Sequence, residues 1–223
     1  MREELLAHWF DLCARAGIKM IRPSYMLFHI EAKYGNRPYH NLGHIEEMLV
    51  ASKGYVPHNP EALEFAIFFH DAIYDVRKID NEERSAEYAA KNLAELRCDA
   101  EFISLVVQLI LDTKHKTVPE TGDGQLIASL DLLSFCKPYE EFMEDGKRIR
   151  EEYMAANTDE EFTGGRIKFF ERMLRREEIF YHVAFFRKEV MARQNLARAI
   201  EELRAKYHGK NRIGTNNDQM PGL

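Results

Sequence analysis

Apolar residues recur at helical spacing along nearly the whole chain, and no segment sustains the strict alternation a half-buried strand needs. Residues 2–16 place Leu5, Leu6, Trp9, Leu12 and Cys13 on one stripe. Pro23 opens a second segment that ends near Gly35, and 43–53 form a third with Ile45, Met48 and Leu49 on one face. Asn59-Pro60-Glu61 reads as N-cap, first-turn proline and first-turn acid. The helix it starts, through Phe69, is apolar on most sides (Leu63, Phe65, Ala66, Ile67, Phe68, Phe69), as a central core helix must be. Further helices are expected over about 81–96, 100–113, 123–135, 138–155, 159–175 and 177–207, with Thr158 and Glu161 forming a capping box. Twelve glycines and seven prolines in 223 residues fall below the roughly 12% of average usage, so few breakers interrupt this pattern. The expectation is an all-α, single-domain helical bundle over residues 1–207 that includes additional C-terminal helices. From His208 to Leu223 no apolar period survives, and a disordered tail is expected.

Charge and cysteine usage narrow the function classes. Lys and Arg number 31 against 37 Asp and Glu, a balance of −6, which opposes a broad nucleic-acid surface but leaves room for a small phosphate held by local cations. Cys13, Cys98 and Cys136 form no C-x-x-C pair and are odd in number, so no disulfide framework is expected. The N-terminus carries acids where a signal peptide would be basic, and apolar runs such as Ile103–Leu111 stop well short of the ~20 residues that span a bilayer. A cytoplasmic protein without a membrane partner is expected.

The chemistry concentrates in His and Asp. His70-Asp71 closes the most apolar helix, and an imidazole beside a carboxylate at a core edge is costly to desolvate unless something pairs with them. A divalent metal is one such partner, because it holds neutral His nitrogen and carboxylate oxygen together. Neighbouring helical residues point about 100° apart, so both reach one ion only near a helix end or a crossing. Other ligands must come from other helices, and His44 and Asp131 are candidates. Each of these residues alone also has an ordinary reading, as a satisfied core histidine or a helix-capping aspartate.

The order His44, His70-Asp71, Asp131 resembles the H…HD…D signature of the HD superfamily of metal-dependent phosphohydrolases. YHNLGHIEEML, FFHDAIYD, NEERSAEYA, TKH and SLDLLSF, and later IREEY, GGR and RQNLARAIEEL, are similar to a bacterial branch of that superfamily, over roughly residues 2–205. The resemblance implies an HD-type helical domain with His44, His70, Asp71 and Asp131 as ligands of one divalent ion, Mn²⁺, Co²⁺, Ni²⁺, Fe²⁺, Mg²⁺ or Zn²⁺. It implies an enzyme hydrolysing a phosphoester, a nucleotide or other small phosphomonoester, by a metal-activated water. His40, four residues before His44, is read as orienting a ligand or packing near Tyr39 in preference to direct ligation, and His115, beside Lys114, as a phosphate contact or proton carrier. Asp75, one helical turn after Asp71, is the first candidate for general acid/base or water orientation, although HDxxxD departs from the HDxxE of a related nucleotidase group; Glu82 and Glu83 are the alternatives. Arg84, Lys114 and Arg148 are candidate substrate contacts. Arg77, Lys78, Lys116 and Arg166 are further cations, Tyr74 and Asn81 possible lining residues, and Asn195 a buried structural amide. Two competing readings remain at this level: a non-catalytic nucleotide-binding or regulatory module, and a dinuclear-iron oxygenase.

Overall fold

The computed structural model describes residues 2–19 and 23–214. Ten α-helices run through them: α1 (Arg2–Arg15), α2 (Pro23–Tyr34), α3 (Leu42–Ser52), α4 (Pro60–Phe69), α5 (Asn81–Glu95), α6 (Ala100–Asp112), α7 (Gly122–Asp131), α8 (Tyr139–Tyr153), α9 (Asp159–Leu174) and α10 (Phe186–Gly214). Two short 3₁₀ turns, Leu133–Cys136 and Val183–Phe185, complete them, and no strand occurs among the described residues, so the protein is all-α. The segment expected as one helix over 123–135 is broken after Asp131, where Leu132 leaves helical geometry and the 3₁₀ turn takes over. The segment expected over 177–207 begins only at Phe186, and α10 continues past His208; the rest of the expected tail, 215–223, lies outside the described residues. None of the described helices is long and apolar enough to cross a membrane.

The described residues divide into two compact units, one comprising those up to Leu133 together with Phe180–Phe186, the other Ser134–Ile179 and those from Arg187 onward. In the first, α4 packs against α1, α3, α5, α6 and α7 and buries Ala62, Leu63 and every residue from Phe65 to Phe69. Trp9 of α1, fully buried, meets Phe65 and Phe68 edge-to-face at ring separations of 5.4 and 4.9 Å. Edge-to-face pairs of this kind add about 0.5–1.5 kcal/mol each beyond the area they bury.

Asp123, buried in the first turn of α7, fixes how α4 and α7 start. Its carboxylate accepts from the backbone N–H of His58 and of Asn59, both at 2.8 Å, and from the Asn59 side-chain amide at 3.3 Å. One carboxylate thus serves the N-terminal ends of two helices, where orphan N–H groups and the macrodipole both favour an anion. Gly124, in the same turn, is required by close approach: a Cβ there would collide with the Asp112 side chain and Pro119.

The second unit centres on Phe135, Phe142, Phe169 and Phe170, whose rings lie about 6 Å apart. Buried Asp145 accepts from Ser134 Oγ and Lys137 Nζ, both at 2.9 Å. The expected capping box of Thr158 and Glu161 is present at the start of α9. Asn195 is the buried amide anticipated, donating to the carbonyls of Phe135 and Lys137 at 2.9 Å.

Replacing Asp123 with Ala strands the N–H groups it serves and is expected to destabilise the protein by about 2–4 kcal/mol, with Asp123→Asn losing less. Urea denaturation followed by far-UV circular dichroism measures both.

Candidate metal centre

Three helix ends build the site. Asn41 caps α3, accepting from the Gly43 N–H at 2.7 Å and donating to the carbonyls of Arg37 and Pro38 at 2.8 and 3.0 Å. His44 follows in the first turn and is buried. Beside it, α4 stops at Phe69 and His70 is its C-cap. The orphan carbonyls there all find donors: Ala66 O takes the His70 N–H, Ile67 O takes His70 Nδ1, Phe68 O takes the Tyr34 hydroxyl and Phe69 O takes the Ala72 N–H. Asp131 is the last residue of α7.

These ends converge. His44 Nε2 lies 3.1 Å from Asp131 Oδ1, and His70 Nε2 lies 3.6 Å from the same oxygen and 3.2 Å from Asp71 Oδ2. Ligand atoms of His44, His70 and Asp131 all fall within 4.8 Å of one another, so this largely buried trio could hold a metal ion. The tautomer of His70 strengthens that reading. Its Nδ1 sits 2.9 Å from the Ile67 carbonyl, which accepts only an N–H, so the Nδ1 proton is spoken for. Nε2 is then buried without a hydrogen bond and faces carboxylate oxygens. A bare lone pair among carboxylates is repelled by them; a second proton or a metal cation relieves it.

The electrostatics follow from this crowding. Burial pushes the His70 pKa down, but Asp71 and Asp131 outweigh burial and hold it well above the ordinary imidazole range. Burial pushes Asp71 and Asp131 up, yet His70 and His40 for the first, and His115, His44 and His70 for the second, hold both below the usual carboxylate range. Asp131 also stands at the negative end of its own helix, where an anion needs such partners.

The remaining sequence candidates are placed unevenly. Asp71 stands beside His70 at the edge of the trio. His115 is brought fully into the centre, with Nε2 2.8 Å from Asp131 Oδ2, and adopts a left-handed backbone (φ 54°) that a non-glycine residue takes only under local constraint. Lys114 is half-buried and pairs with Glu83 of α5. Asp75 is not one helical turn beyond Asp71, because α4 has already ended; its Oδ1 accepts from the Arg77 N–H at 3.0 Å, and Asn81 holds its backbone. His40 stacks on Tyr74 at 4.0 Å. Arg77, Lys78, Arg84 and Lys116 are exposed. Arg148 and Arg166 belong to the second unit, where Arg148 lies 3.5 Å from Asp145 and Arg166 lies over Phe170.

Sequence reasoning overlooked Tyr34, Arg37 and Asp123. Their signal was indirect: a helix ending inside a core needs donors for its carbonyls, and the pattern of apolar residues does not say which side chains supply them. No family model, curated protein or solved structure matches this chain.

The pKa directions fix the pH response. His70 is raised above its ordinary value of 6.5, so its stabilising charge is fully present below that pH and is lost as pH rises through the higher folded-state value. Asp131 is lowered, so its contribution is present above the ordinary carboxylate range and lost on acidification. Metal-free protein is therefore expected to lose stability from neutral to alkaline pH, while a divalent ion, replacing the proton on Nε2, removes that loss and binds tighter as pH rises. Urea denaturation with and without metal, and calorimetry in buffers of different ionisation enthalpy to count released protons, check this.

Proposed function

We propose that the protein is a metal-dependent phosphohydrolase acting on a nucleotide or other small phosphomonoester, in view of the resemblance carried by its motifs. The observation that carries the reading is His70 Nε2, buried and unbonded with its other nitrogen pinned, facing Asp71 and Asp131 beside His44. That donor set of imidazole nitrogen and carboxylate oxygen suits a borderline or hard divalent ion. His44, His70 and Asp131 would hold the ion, with Asp71 as the adjoining carboxylate. Such an ion lowers the pKa of a bound water and neutralises charge on phosphoryl oxygens.

The chain's own residues supply the rest. His115 rests on the second oxygen of Asp131, so it can carry a proton at Nε2 while steadying that carboxylate. Lys114 is already paired with Glu83, so a phosphoryl group would compete with Glu83 for the ammonium. Proton handling is assigned to His115 over Asp75, because His115 contacts Asp131 directly whereas Asp75 is held in its own turn by Arg77 and Asn81.

The test is a phosphatase screen across a nucleotide and sugar-phosphate panel with Mn²⁺, Co²⁺, Ni²⁺ and Mg²⁺. Turnover is expected with at least one metal. Asp131→Ala is expected to lower kcat/KM by about 10³-fold or more, equivalent to roughly 4 kcal/mol of transition-state stabilisation. Metal and nucleotide binding without turnover under every metal would favour the non-catalytic module instead, and undiminished turnover in Asp131→Ala would exclude the site.

A further inference from the structure

We propose that Arg37 is the positioning residue of this centre, tying the helix that carries His44 to the turn that carries His70 and Asp71; the inference rests on the metal-site reading and names what holds that site in register. Arg37 stands between α2 and α3 and reaches both ligand-bearing elements. Its own carbonyl accepts from Asn41 Nδ2 at 2.8 Å, and Asn41 is the cap from which α3 and His44 start. Its guanidinium donates through Nη2 to the Asp71 carbonyl at 2.8 Å and through Nε to the Tyr34 carbonyl at 3.0 Å. The Tyr34 hydroxyl in turn donates to Phe68 O at 3.1 Å. Carbonyls on both sides of His70 are therefore gripped from one short segment.

The way Arg37 is held separates this role from a general stabilising one. Among the described residues no carboxylate pairs with its guanidinium, which instead lies 4.7 Å from the Tyr34 ring and 5.4 Å from the Tyr74 ring. Its Nη1 is buried and makes no hydrogen bond. A shielded cation without an anion is a poor device for stability alone. What it supplies is a rigid planar fork that spans two carbonyls at once, which the single ammonium of lysine does not reproduce.

The test uses full-length protein and Co²⁺ alone, read by its visible d–d absorption, in wild type, Arg37→Ala, Arg37→Lys and the remote control Thr158→Ala. Wild type is expected to bind Co²⁺ with a defined spectrum. Both Arg37 variants are expected to bind about 10–100-fold more weakly, with shifted band positions, because a supporting contact of the ligands has been lost. Thr158→Ala, which removes a helix cap in the second unit, is expected to lower stability while leaving affinity and spectrum as in wild type. Folding is checked by far-UV circular dichroism, and if Arg37→Ala does not fold, Arg37→Lys decides. Folded Arg37 variants with wild-type affinity and bands overturn the positioning role while the metal reading stands. Equal losses in Thr158→Ala overturn it as well, by showing that stability alone sets the affinity. Wild type without any Co²⁺ bands overturns the metal reading and the positioning role together.

Discussion

The meeting of His70 and Asp131 depends on the carboxylate of Asp123, at the far end of the two helices that deliver them. By accepting from His58, Asn59 and the Asn59 amide, it starts α4 and α7 at one level. Both helices have ten residues, about 15 Å of rise. Helices that begin together, pack together and run the same length end together, and their last positions are where the imidazole of His70 and the carboxylate of Asp131 meet. A register set by one buried anion at one end is thus read out as ligand geometry at the other.

Helix ends, not helix faces, make such a site possible. A residue in mid-helix projects in one direction and has its backbone groups satisfied within the helix. At the end of α4 the carbonyls are unsatisfied, and one of them, Ile67 O, selects the His70 tautomer. The macrodipole favours a positive charge at that end, in keeping with the raised basicity of His70, and disfavours the carboxylate of Asp131 at the end of α7. The two effects are answered by one arrangement, in which His44, His70 and His115 surround Asp131. A cation at Nε2 of His70, whether proton or metal, completes the balance of charge, so a metal held there would compete with that proton.

The fold was largely legible because helical periodicity reports burial directly: the apolar run from Leu63 to Phe69 made α4 central, and its burial agrees. The two misread boundaries share a physical cause. The segments expected over 123–135 and 177–207 carry apolar residues through Leu132–Phe135 and Ile179–Phe185, so periodicity ran on where the backbone had left the α-helix. In the site, His44, His70 and Asp131 came together as their order in the sequence suggested. The helical spacing assumed between Asp71 and Asp75 did not exist, because it presumed a helix that stops at Phe69. A short pattern records which residues are present; it does not record where the backbone stops repeating.

The residues that escaped the sequence have in common that they act on backbone atoms. Tyr34, Arg37 and Asp123 serve Phe68 O, Asp71 O and the N–H groups of His58 and Asn59. Side chains that satisfy backbone groups leave no trace in composition, because their partners are the same N–H and C=O groups in every residue. Arg37 shows the consequence. As a cation it belongs with Arg77, Lys78, Arg84 and Lys116 in any search for phosphate contacts, yet those four lie exposed while Arg37 is turned inward onto two carbonyls. Charge near a candidate metal site therefore has two uses here that sequence cannot separate, attraction of an anionic substrate and support of the turn that presents the ligands; the hydrogen bonds of Arg37 assign it to the second.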